Sequence, residues 1–284
     1  MDPRDMPALD IRIADFRYLN SRFGPSHLET TRVTDGMRIE QLVLNPNATV
    51  MTARGGWYLR GNQQQSNLQM HVESSNIGRT LKALDYVGGI DDGKGTVDVE
   101  LQWPGSLAEV DASRIQGKLS MSLKDGYVLD VDPGAGRMFG MLSIQTLPRR
   151  LLLDFSDVFK KGFGFDRLKG NFSIEHGDAY TKDLYMDGPA ARVDISGRTG
   201  LAKQDYDQLV TVTPHVAESL PLLGVLTATP QVGAVILFVQ KLFQPQIDVV
   251  TRNQYTIKGS WNAPEIKKVK HPKSVVAPIA TEEP

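Results

Sequence analysis

The sequence predicts a mainly β (α+β) fold, a long antiparallel meander with a few short helices. Two observations carry that prediction. Apolar and polar residues alternate at period two in run after run, and glycine-centred turn signals separate the runs. Leu9, Ile11 and Ile13 alternate with Asp10 and Arg12. Leu68, Met70 and Val72 alternate with Gln69 and His71. Val97, Val99, Leu101 and Trp103 alternate with Asp98, Glu100 and Gln102, and Leu119, Met121 and Leu123 with Ser120 and Ser122. Phe172 with Ile174, Val193 with Ile195, and Tyr255 with Ile257 continue the theme. Each run puts its apolar side chains on one face, as a half-solvated antiparallel sheet requires. Asp35-Gly36, Asp125-Gly126, His176-Gly177 and Asp187-Gly188-Pro189 predict the chain reversals.

Part of the sequence echoes itself. Leu42, Leu44, Ala48, Met51, Ala53 and Gly55 align with Leu184, Met186, Ala190, Val193, Ile195 and Gly197. Both stretches read strand, proline-containing turn, strand, glycine. Two readings stand: chance likeness between hairpins, or a repeated unit stacked along one axis. Helical spacing interrupts the sheet at Ile77 to Tyr86, through Ile77, Leu81 and Leu84, and at Arg137 to Leu147.

The longest apolar region, 214–246, follows a β region at 1–213; a closing strand is expected at 247–262 and a disordered Lys- and Pro-rich tail at 263–284. Pro221 and Pro230 interrupt the apolar region, so two shorter helices are predicted, about 215–228 and 231–243. A buried cap over the sheet's end, a helix pair dipping into a membrane interface and a spanning segment all fit. Leu222, Leu223, Val232, Val235, Ile236, Val239 and Phe243 are the candidates for membrane contact.

Composition excludes several kinds of chemistry. With no cysteine there is no disulfide framework, thiolate metal site or cysteine nucleophile. Lysine and arginine nearly balance the acids, for a net charge of -1, which offers no field for nucleic acid. His27, His71, His176, His215 and His271 stand apart from one another without metal spacing. Gly88 to Thr96 approaches a phosphate-binding loop, but Gly95 stands where a Ser or Thr must hold magnesium, and a strand follows instead of a helix. Gly134, Gly136 and Gly140 resemble a dinucleotide fingerprint with one residue too many, outside any βαβ unit. No catalytic residue, metal or cofactor is expected.

One stretch is distinctive. GAGRMFGMLSIQTLPRRLLLDFSDVFKKGFGFD, Gly134 to Asp166, resembles from Gly136 onward the signature of the YhdP family. Trp103-Pro104-Gly105, Asp187-Gly188-Pro189-Ala190-Ala191, Ile195-Ser196-Gly197, Val210 to Pro214, Ser219 to Leu222 and Gln240-Lys241 extend the likeness to nearly all of residues 2–262. The resemblance implies an AsmA-like protein: a long twisted sheet curled into an apolar groove that carries phospholipid across the periplasm toward the outer membrane and supports its permeability barrier. It also implies a carboxy-terminal module of a longer protein anchored in the inner membrane. The amino terminus shows no signal peptide, so the export signal is expected upstream of Met1. The expected partners are phospholipid, the inner leaflet of the outer membrane and other envelope proteins. Leu68, Met70, Val97, Val99, Leu101, Leu119, Met121, Leu123, Phe172, Ile174, Val193 and Ile195 are the candidates to line the groove. By residue pattern alone, the same twelve would serve as the core of a structural or interaction β-sandwich.

Overall fold

The computed structural model describes residues 1–86, 89–129, 163–189, 191–215 and 253–269. Among them, strands β1 (Leu9–Tyr18), β2 (Ser21–Val33), β3 (Gly36–Leu44), β4 (Thr49–Arg60) and β5 (Gln63–Ser74) precede the single α-helix, α1 (Ile77–Ala83). Then come β6 (Ile90–Pro104), β7 (Gln116–Val128), β8 (Phe163–Glu175), β9 (Asp178–Asp187), β10 (Ala191–Gly200), β11 (Asp205–Pro214), β12 (Asn253–Ser260) and β13 (Glu265–Lys268). All thirteen lie in one sheet in chain order, each antiparallel to the next, and the sheet does not close on itself. The alternating runs become strands because each can bury one face and wet the other.

The internal echo is structural. Leu42 faces Ala53 and Leu44 faces Met51; 142 residues on, Leu184 faces Ile195 and Met186 faces Val193. Both ladders slip by one residue at the same place, where Ile39 faces Gly55 and Thr181 faces Gly197. The preceding strand repeats as well: Ser26 faces Leu44, as Leu168 faces Met186. That ladder also slips in both copies, to Thr31 facing Arg38 and Ser173 facing Tyr180. Chance likeness between hairpins does not reproduce two bulges across three strands. The β2–β4 and β8–β10 segments are two copies of one unit, and the bulges raise the local twist at equivalent points.

Loop lengths are asymmetric. The three long connections, 75–89, 129–162 and 215–252, all leave the sheet at the same end of the strands. This end carries α1, and the 215–252 connection stands in the second half of the chain where α1 stands in the first. Asn76 caps α1 by accepting from the Arg79 backbone N–H at 2.9 Å. Thr80, buried at 1 %, hydrogen-bonds Thr49 and Ser74, so hydroxyls from β4 and β5 hold the helix down.

Two features differ from the expectations. Asp125-Gly126 does not reverse the chain but kinks β7. Asp125 (φ +56°) stands beside Gly93 (φ +76°), and pairing continues on both sides through Asp92–Gly126 and Lys94–Lys124. An Asp-Gly pair favours positive φ, which serves a kink as well as a turn. The sheet also runs on past residue 262. Within the Lys- and Pro-rich tail, β13 pairs with β12, matching Ile266 to Ile257. The single open sheet is the expected long antiparallel meander, and the described strands do not form the two layers of the alternative sandwich. His176-Gly177 is a hairpin turn as expected, with φ of +50° and +81°. The expected helices at 137–147, 215–228 and 231–243 lie outside the described residues.

Gly197 sits at the repeated bulge with φ +126°, and a Cβ there would collide with the Asp207 carbonyl oxygen of β11. Gly197→Ala is expected to cost about 2–3 kcal/mol of stability through strain and overpacking. Gly61→Ala, which meets open space in a turn at φ +62°, should cost about 1 kcal/mol. Urea denaturation of both variants measures the difference.

Candidate functional site

The register aligns the apolar side chains into rows that run across the strands. Leu42, Ala53, Met70, Val99, Leu119 and Phe172 are successive partners from β3 to β8. Leu44, Met51, Val72, Val97 and Met121 form the next row, and Leu68 and Leu101 lead a third that ends in Ile174. The result is a continuous apolar band on one face of the sheet.

What covers that band decides its use. Among the described elements each strand packs mainly on its chain neighbours, and no second sheet lies across the face. At one end of the strands α1 packs on β6 and reaches β2. There Leu84 joins Phe16, Phe23, Leu44, Met51 and Val72, and its carbonyl accepts from the Ser21 hydroxyl at 2.9 Å. At the other end the turn Pro3–Asp5 packs on β3 and β4, and Gln64 donates to the Met1 carbonyl at 2.8 Å. The middle of the band, over β5 to β7, lies between these two covers.

The twelve groove candidates divide accordingly. Leu68, Met70, Val97, Val99, Leu101, Leu119, Met121 and Ile195 are half-buried; Val97, Leu101, Leu119, Met121 and Ile195 pack against the edge of a buried cluster, and Met70 and Val97 against the one at the α1 end. Leu123, Phe172, Ile174 and Val193 are 2–5 % exposed and belong to the buried cluster that runs from β6 to β12 with Leu168, Leu184, Tyr206 and Val210. At the β1 edge the same face opens to solvent, where Ile11 and Ile13 are each 40 % exposed. Period-two reading missed Leu42 and Ala53 as members of the band because the bulge beyond Ile39 breaks the alternation. The internal echo contained both and was the signal that could have found them. The membrane-contact candidates Leu222 to Phe243 lie outside the described residues, as does the 134–162 part of the distinctive stretch.

The opposite face is polar and paired. His27 meets Asp10 at 2.8 Å and His71 meets Asp98 at 2.6 Å, each with its cross-strand neighbour's strand. Arg198 bonds both Asp178 and Asp205 at 2.8 Å, and Arg192 bonds Asp194 and covers the Tyr185 ring at 4.2 Å. Among the described residues no buried side-chain polar atom lacks a partner. No three His, Cys, Asp or Glu residues among them converge on a metal position. Gly93, Lys94 and Gly95 lie inside β6, where Lys94 pairs with Asp125 at 2.8 Å instead of facing a phosphate. The described residues offer an apolar surface for burial on one face and paired polar groups on the other.

Comparison with known proteins agrees with the resemblance read from the sequence. The family profile described as YhdP protein matches residues 1–266. The intermembrane phospholipid transporter YhdP of Escherichia coli (strain K12) is 24% identical over 267 residues, covering 94% of this chain and 21% of that relative. The chain therefore spans about a fifth of the length of the curated relative it matches. No solved structure matches the chain. No helix among the described residues is long and apolar enough to cross a membrane.

The Arg198 hydrogen bond holds the Asp205 carboxyl below its ordinary value. A carboxylate depressed in the folded state adds stability above its unfolded pKa and loses it as pH falls through the folded one. Arg198→Met is expected to cost about 1 kcal/mol at pH 7, given the partial exposure of the cluster. The gap between variant and parent should shrink toward zero as the pH drops below the carboxylate range, as followed by thermal melts across pH.

Proposed function

The chain belongs to the YhdP family, and from that premise we propose that it is one section of a phospholipid carrier. It shelters acyl chains on its apolar band while headgroups remain in solvent. The observation that carries this reading is the half-buried strip over β5 to β7, with no second layer among the described elements packed across it. Leaving a 16-carbon acyl chain in water costs about 12 kcal/mol, at ~0.8 kcal/mol per CH₂. Seven half-buried side chains, Leu68, Met70, Val97, Val99, Leu101, Leu119 and Met121, offer the apolar contact that removes much of that cost. Met70 and Met121 suit chains of differing shape, since a thioether side chain adapts to its neighbours.

In this reading the carrier needs no catalysis or cofactor, because moving a lipid along an apolar surface breaks no covalent bond. It works in the periplasm, as part of a longer anchored protein, and delivers phospholipid toward the outer membrane. The apolar connection 215–252 leaves the sheet at the α1 end. We assign Leu222, Leu223, Val232, Val235, Ile236, Val239 and Phe243 within it to contact with a membrane interface. The buried β8 to β12 half of the face favours a second role, a rigid support that positions the open strip.

Val99→Asp combined with Met121→Asp puts two charges in the strip. Purified from a Gram-negative host, the parent chain should carry phospholipid detectable by mass spectrometry, and the double variant roughly tenfold less, because a desolvated carboxylate is strongly disfavoured. Equal lipid content in a variant with unchanged circular dichroism would sink the carrier reading. For the membrane assignment, the chain should float with phosphatidylglycerol-containing liposomes and a variant lacking residues 215–243 should not; equal flotation removes the assignment.

A further inference from the structure

The polar face carries a furrow that the carrier reading does not use. A depression of about 810 Å³ crosses six strands, β3 to β8. Its floor is backbone: Ile39, Gly55, Leu68, Leu101, Gly117 and Ile174 face one another in turn through five consecutive ladders. Their side chains, where present, belong to the apolar face, so the residues just before and just after them flank the floor as two rails. Arg38, Asn67, Gln102, Gln116 and Glu175 form one rail. Glu40, Arg54, Gln69, Glu100, Lys118 and Ser173 form the other. At about 4.8 Å between strands, five spacings make the furrow roughly 24 Å long.

The chemistry of the rails selects among extended ligands. Three cations (Arg38, Arg54, Lys118) match three carboxylates (Glu40, Glu100, Glu175), with Arg38 paired to Glu40 at 3.6 Å and His176 beside Gln116 at one end, so the rails carry no strong excess of one sign to attract a polyanion. The floor amides and carbonyls are already used within the ladders, so an added peptide strand finds no main-chain partners there. The rails offer side-chain amides instead, each with two donors and an acceptor. Asn67, Gln102 and Gln116 stand side by side across β5, β6 and β7, with Gln102 Nε2 3.4 Å from Gln116 Oε1. Gln69 lies opposite Glu100 on the second rail. Half-buried Tyr58 stands at the β4 side, its hydroxyl donating to the Gly55 carbonyl at 3.4 Å and the Arg60 guanidinium 5.6 Å from its ring, so the ring's remaining surface can lie against an apolar sugar face.

We propose that this furrow binds a linear, uncharged glycan rich in hydroxyl and acetamido groups, laid across the strands between the two rails. Hydroxyls both donate and accept, as do the rail amides, and they recur along such a chain on the scale of the strand spacing. The site is independent of the apolar band on the reverse side, so a lipid and a glycan can be held together.

The test is isothermal titration of the full chain with a linear N-acetylglucosamine hexamer. One hexamer is expected to bind per chain, with little change between low and high salt. Gln102→Ala combined with Gln116→Ala should weaken binding about tenfold, a loss of some 1.4 kcal/mol, with co-purified phospholipid unchanged. Tyr58→Leu is the second variant, and should weaken binding by a similar factor if the double variant folds poorly. No heat of binding, or unchanged affinity in a folded variant, overturns the proposal. So does tighter binding of poly-L-glutamate, which would make the furrow a polyanion site, or of an uncharged Ser/Thr/Gly peptide.

Discussion

Main-chain hydrogen bonding between chain neighbours holds thirteen strands in one sheet, and no second described layer supports it from either side. A sheet with one apolar face normally buries it against another sheet or a layer of helices. Here the described cover amounts to a two-turn helix at one end of the strands and a short turn at the other. Among the described residues, the rest of the face is shielded by its own neighbouring side chains, fully in the β8 to β12 cluster and partly over β5 to β7. The buried cluster of β8 to β12 and the half-open strip of β5 to β7 are two outcomes of that one constraint.

Glycine and bulge positions decide how the sheet bends. Gly117 and Gly197 occur where any side chain would strike a neighbouring carbonyl, and the slips beyond Ile39 and Thr181 recur at equivalent points of the two copies. A bulge adds one unpaired residue to one strand and increases its twist. Repeating the bulges with the strands repeats the bend, so a duplicated sequence makes a longer trough instead of a flat sheet. The three long connections fall on one end of the strands, because each follows an odd-numbered strand of the meander.

The two faces divide the chemistry. On one, rows of Leu, Val and Met continue from strand to strand and meet only partial cover from the described elements. On the other, charges of both signs are paired with neighbours, as in the Arg198 cluster, or arranged in rails around a neutral furrow. Converging catalytic groups appear on neither face among the described residues.

Much of this was legible in one dimension. Alternation along Val97 to Trp103 or Leu119 to Leu123 shows which side chains share a face, because side-chain direction in a strand has a fixed period of two. The helix at Ile77 was legible through its spacing, and the family through the run from Gly136 to Asp166. The sequence could not show that Asp125-Gly126 kinks a strand, since the same positive φ serves a kink or a reversal. It could not separate Phe172, which is buried, from Leu119 directly opposite it, which is half open. Local pattern determines the face on which a side chain lies; its burial depends on what the rest of the chain brings against that face, and only the assembled sheet decides that.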